Sequence, residues 1–239
     1  MLIVGELEGG HGWHATCGVG FRQAAARPVP PGAIEFEDVK TKHIYVHDDN
    51  LGPAVRLRVE AEPPGGVMLR PDPPMPRNGL SLPDPTKQYP GLCPTLLVAA
   101  AHDDVRVTPD QLHRLALTLG RVIVEATGKK VGVSLGSRVT RLAEYAGAEL
   151  NRVLEGRGEV LAKARMALWE RVAPMSLHLG VVRLGVGALP LLDVLYDTTD
   201  SEPNMRAFCH VAYHSSGGEL VRHLASLHLV DCGPLVEAY

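Results

Sequence analysis

Two imidazoles and one hydroxyl, each inside its own short motif, carry the strongest chemical signal in this chain. His47 opens the turn His47-Asp48-Asp49 at the end of the run Ile44-Tyr45-Val46. Ser134 lies in Gly132-Val133-Ser134-Leu135-Gly136-Ser137-Arg138, and His178 in Ser176-Leu177-His178-Leu179-Gly180-Val181-Val182. A serine with two histidines is a sufficient set for nucleophilic acyl transfer. The hydroxyl attacks, one imidazole takes its proton, and the second fixes the tautomer of the first. Gly132 and Gly136 leave the serine strand bare, and Ser137 and Arg138 add a second hydroxyl and a cation.

The elements that must position these groups are legible as alternating and helical patterns. Leu2–Leu7, Thr16–Phe21, Ala33–Phe36, His43–Val46 and Ala54–Val59 are short Val- and Ile-rich runs separated by Gly, Pro or Asp, as strands are. Arg56 and Arg58 alternate with Val55, Leu57 and Val59, the pattern of a half-buried antiparallel strand. Residues 63–91 are Pro-rich and form an expected surface loop, interrupted by a short strand at Val67–Leu69. Thr95–Ala101 suits a buried strand. Thr108-Pro109-Asp110-Gln111 is a helix start with a cap, a first-position proline and a capping-box glutamine. Lys130–Leu135 returns to strand. Apolar residues from Val139 to Leu154 hold helical spacing, and a second helix runs from Val160 to Val172. Ser176–Leu184 and Leu189–Tyr196 pair across Gly185-Val186-Gly187. Arg206–Tyr213 adds a strand and Glu219–His228 a closing helix. The expected fold is α+β in one domain over residues 1–239, an antiparallel β-barrel of about seven strands surrounded by helices.

The order His47-Asp48-Asp49, then Ser134-Leu135-Gly136-Ser137-Arg138, then His178-Leu179-Gly180-Val181-Val182 resembles the herpesvirus maturation protease, the assemblin family. Leu2-Ile3-Val4-Gly5-Glu6-Leu7 is similar to that family's first strand. The resemblance implies a serine endopeptidase that cleaves the capsid scaffold or assembly protein during maturation. Ser134 would be the nucleophile, His47 the base and His178 its orienting partner, with no cofactor and no metal. The places of the family's oxyanion-hole arginines fall at Val186 and Gly187, where a backbone N–H remains and Arg183 is the nearest substitute. A homodimer is implied, through Glu219–His228 or Val139–Leu154, in the host nucleus and the assembling capsid. Val236-Glu237-Ala238 is similar to a family release site, with Tyr239 in place of the usual serine.

Composition bounds the alternatives. The chain has 239 residues, 45% hydrophobic and 21% charged, with a formal charge of −3, which excludes a protein that coats nucleic acid. Cys17, Cys93, Cys209 and Cys232 lack CxxC spacing and fit a reducing, intracellular setting. No apolar run approaches the ~20 residues of a membrane span. Three rival readings remain. A phage-type prohead protease would use a Ser-His dyad without His178. A metal site would draw on His11, His14 and Cys17, or on Cys209, His210 and His214. A non-enzymatic shell or scaffold subunit needs none of these groups. Residues 141–157 also fit a helix-turn-helix loosely, although one amphipathic helix explains them better.

Overall fold

The computed structural model describes residues 1–23, 29–36, 41–62, 66–72, 90–98, 105–172, 178–186, 189–199, 207–230 and 234–239. The backbone contacts separate into two compact units. The first is Met1–Ala25 with Asp38–Ala101, and the second is Ala26–Glu37 with His102–Tyr239.

The first unit is a closed antiparallel barrel of six strands, one fewer than expected: β1 (Leu2–Leu7), β2 (Trp13–Gln23), β4 (Thr41–Asp48), β5 (Gly52–Glu62), β6 (Gly66–Pro71) and β7 (Leu92–Val98). The order follows the chain, and β7 closes on β1 with Leu2 opposite Val98 and Leu7 opposite Leu92. Alternation turns Ile3, Val46, Leu57, Leu69 and Leu92 into a small core. Arg70 straps the barrel: its Nη2 donates to Glu8 Oε1 at 2.7 Å and its Nε to Glu60 Oε2 at 3.0 Å. The hydrogen bond from Arg70, with one from the Gly91 N–H, lowers the Glu8 carboxyl to about 2. The short strand foreseen at Val67–Leu69 is the centre of β6, while residues 73–89 of the Pro-rich stretch lie outside the described residues.

The second unit holds all the described helices, so none is assigned to the barrel's own unit. Its six-stranded sheet has the order β12-β11-β10-β9-β8-β3. Here β3 is Ile34–Phe36, β8 Val133–Arg141, β9 His178–Val186, β10 Leu189–Asp197, β11 Ala207–Ala212 and β12 Leu235–Glu237. The three-residue edges β3 and β12 pair in parallel, and the four inner strands are antiparallel. The inner strands carry apolar residues on both faces, as a sheet covered on both sides requires. Val182, Leu184, Leu192 and Val194 pack under α1 (Pro109–Ala126), whose Leu112, Ala116, Leu119 and Ile123 form one buried stripe. Leu179, Val181, Leu195 and Val211 face the opposite layer. That layer is built from α2 (Leu142–Glu144), a π-helical turn (Tyr145–Glu149), α3 (Leu150–Val153) and α4 (Gly158–Val172). The closing helix α5 is Ser215–Ser226, and its Val221 and Leu224 join the α1 side.

Thr108 caps α1 as its motif requires, with Gln111 reaching back to complete the box. The helix expected from Val139 begins later: β8 runs on through Arg141. The stretch that loosely fitted a helix-turn-helix is helical from Leu142 to Val153, with the π-turn inside it. Arg165 of α4 holds that turn, donating from Nε to the Ala146 carbonyl at 2.6 Å and from Nη2 to the Gly147 carbonyl at 2.8 Å. Val236 and Ala238 are buried, and the Ala238 N–H donates to the Ala212 carbonyl, so the segment similar to a release site is strand-paired.

Candidate functional site

Ser134 is built into the interior of the second unit's sheet. It pairs with Gly185 of β9 on one side and Glu35 of β3 on the other. Ser134 itself is only 9% exposed. A Cβ placed on Gly185 would come 2.3 Å from Ser134 Oγ, so the hydroxyl occupies the space that this glycine leaves open. Gly132 is bare for a similar reason, since a Cβ there would meet the Val29 carbonyl oxygen at 2.2 Å. Both glycines serve close backbone approach.

The β8–β9 ladder also fixes the second histidine. Ser134 faces Gly185 while His178 faces Arg141, seven positions further along β8. At ~3.3 Å per residue those steps span about 23 Å, and an odd number of steps places the two side chains on opposite faces of the sheet. The register does not bring Ser134 and His178 together. Val186 is paired on both sides, with Val133 and Leu189, which directs its backbone groups into the sheet. Gly187 lies outside the described residues.

His47 is the penultimate residue of β4 in the first unit and is exposed. Its Nδ1 accepts a hydrogen bond from the Ala54 N–H at 3.1 Å. In the neutral ring the proton is therefore on Nε2. A general base oriented by a partner at Nδ1 needs the reverse arrangement, with the proton on Nδ1 and the lone pair on Nε2.

The turn that follows His47 gathers a different set of groups. Asp48 is buried, and its Oδ1 accepts from the Asn50 and Leu51 N–H groups, both at 3.0 Å. Its Oδ2 lies 2.8 Å from Nε2 of His14 on β2. Oδ1 of Asp49 is 3.5 Å from the same nitrogen, and Asp49 is 79% exposed. Burial works to raise the Asp48 carboxyl, but hydrogen bonds from His14, Leu51 and Asn50 outweigh it and hold the group below its ordinary value. One donor atom from each of His14, Asp48 and Asp49 falls within 4.8 Å of the others. Two ligands bound at about 2.0–2.2 Å and 90–109° apart sit roughly 3.0–3.5 Å from each other. The separations from the imidazole already approximate that spacing.

Neither histidine–cysteine set from the sequence assembles in this way. His14 and Cys17 are three apart on β2, hence on opposite faces, and Cys209 and His210 are neighbours on β11. Nδ1 of His214 lies 2.8 Å from Ser216 Oγ at the start of α5.

Arg183, the nearest substitute for the oxyanion arginines, is spent elsewhere. Its Nε donates to Asp193 Oδ1 at 2.7 Å and its Nη2 to Asp193 Oδ2 at 2.6 Å. The hydroxyls of Tyr213 and Tyr145 donate to the same Oδ2 at 2.7 and 2.9 Å. Burial would raise the Asp193 carboxyl, yet the adjacent guanidinium overcomes it and keeps the group below the usual carboxylate range. Arg138 stands on the same face, paired with Glu149 of the π-turn. This buried network ties the β9–β10 hairpin to the turn above it.

Comparison with known proteins returns no counterpart: no family model, no curated protein and no solved structure matches the chain.

Proposed function

We propose that the first unit is a divalent-cation-binding barrel, with His14, Asp48 and Asp49 as its protein ligands. The observation that carries this reading is the spacing of the three donor atoms around the β4–β5 turn. One imidazole and two carboxylates are a borderline-to-hard donor set, suited to Zn²⁺ or Mn²⁺ rather than to a soft ion. The Asn50 and Leu51 N–H groups hold Asp48 from behind and leave its Oδ2 for the metal, the orienting role that outer-shell partners play at metal sites. His14 would bind through Nε2, with the proton that now bridges Nε2 and Asp48 passing to Nδ1 or to solvent. Asp49, on the exposed side, would supply the third protein donor.

Titration calorimetry of the full chain with Zn²⁺ and with Mn²⁺ tests the reading. The expected result is one equivalent bound by wild type, with affinity lowered at least tenfold in His14→Ala and in Asp48→Asn. Asp49→Asn keeps the buried turn intact and lowers affinity less. No saturable binding, or binding unchanged in both His14→Ala and Asp49→Asn, overturns it.

The acyl-transfer reading, with a scaffold-protein substrate and capsid location, rests on the ordered motifs alone and has the β8–β9 register as its obstacle. A serine-directed fluorophosphonate decides it. Modification at Ser134 that disappears in His47→Ala would restore the peptidase, whereas an unmodified Ser134 leaves the cation site as the functional centre.

A further inference from the structure

Helix α4 presents two large apolar side chains to solvent at helical spacing. Met166 is 65% exposed and Trp169 47%, one turn apart, and the small exposed Ala162 lies one turn before Met166. The opposite side of the helix is already committed, because Leu161, Ala164 and Leu168 are buried in the second unit's core. At 100° per residue, Ala162 and Trp169 fall to one side of Met166, and Lys163 and Glu170 to the other. The outward face therefore has an apolar edge and a charged edge, side by side.

We propose that this face docks on the same face of a second copy, the two α4 helices running antiparallel. Charge and shape complementarity select that occupant. A two-fold axis beside Met166 and perpendicular to the helices brings each edge against its own counterpart in reverse order. Each Trp169 then lies over the partner's Ala162, where the small side chain leaves room for the indole. The two Met166 side chains meet at the axis. On the other edge each Lys163 comes beside the partner's Glu170, giving two symmetric ion pairs of opposite sign. A parallel arrangement fails this test, since it sets Trp169 against Glu170 at the same height. Glu159, Lys163 and Glu170 together carry a charge of only −1, so neither a strongly acidic nor a strongly basic partner finds a matching excess. Lys163 already donates to Glu159 at 2.7 Å in its own chain, with both groups well exposed, and is available to bridge Glu159 and the partner's Glu170. Exposed tryptophan beside methionine is the composition expected of an interface anchor. The interface lies on neither of the helices expected from the sequence resemblance.

Sedimentation equilibrium of the full chain tests the proposal. Wild type is expected to form a dimer in the micromolar range. Trp169→Glu raises the dissociation constant at least tenfold, with the circular dichroism of the fold retained. Lys163→Glu weakens the dimer, and adding Glu170→Lys restores it, a rescue that a purely structural role would not give. A wild type that stays monomeric at 100-fold higher concentration, or a dimer unaffected by Trp169→Glu and by the charge swap, overturns it.

Discussion

Ser134 and Gly185 form a matched pair: the hydroxyl exists where it does because the opposing residue has no side chain. Gly185→Ala would set a methyl group 2.3 Å from Ser134 Oγ and 2.9 Å from the Leu189 carbonyl oxygen, so the local strands must shift. The expected cost is about 1–3 kcal/mol, the range for overpacking a filled interior. Ser134→Gly in the same chain should recover part of that loss, and a double-mutant cycle from urea denaturation measures it. The pairing of Asp193 with Arg183 is the more costly to disturb. Asp193→Asn leaves a buried guanidinium without its counter-charge, and the expected loss is about 3–5 kcal/mol, again measured by urea midpoint. Motif reasoning treated Arg183 as a replacement for an oxyanion ligand because the residue stands in the right stretch of chain. Its partner ten residues away only becomes visible once the hairpin register is known, with Asp193 opposite Arg183. The sequence offered His14 as a metal ligand but grouped it with His11 and Cys17, and its true neighbours were hidden for the same reason. His47-Asp48-Asp49 is plain as a turn, but the imidazole that approaches it belongs to a strand 34 residues earlier.

At the level of elements, local signals were dependable wherever they had one meaning. The capping box at Thr108 has one, and the α1 start follows it to the residue. Val139 had two: its spacing continues a helical stripe, while its β-branching, shared with Thr140, favours a strand. Pairing with Gly180 and Leu179 resolves the choice, because β9 offers a partner at both positions. The π-turn at Tyr145–Glu149 has no distinct periodicity over five residues. It is specified by tertiary contacts, with Arg165 on its carbonyls and the Tyr145 hydroxyl on Asp193. Arg165→Met keeps the aliphatic stem and removes both donors, so the turn loses its clamp. Amide hydrogen exchange should accelerate across Leu150–Val153, with a stability loss of about 1–3 kcal/mol. Unchanged exchange there would mean that Tyr145 alone fixes the turn.

Over the whole molecule, the fold class was legible because strand-like and helical runs are segregated: among the described residues, 1–62 hold strands and no helix, and the first described helix starts at Pro109. The division into two units was not, since β3 sits between barrel strands in the chain yet pairs with β8. Acid stability follows from carboxyls in both units. Asp48 and Asp193 are each held below their ordinary values in the folded chain. Their contributions are fully present above the unfolded aspartate value near 4, and are lost as pH falls through the lower folded values. The urea midpoint should therefore change little with these groups above pH 5 and drop below pH 4, with a shallower drop in Asp193→Asn. The two rims of the second unit's sheet bear on a different hazard. Each is a three-residue strand laid down in parallel, so an incoming chain finds a template barely one side-chain repeat long. Cross-β growth needs a longer run of open amides and carbonyls than either rim strand has, and among the described residues that run is Gly136–Arg141 of β8, beyond the reach of β3, so fibril seeding on this sheet would have to start there.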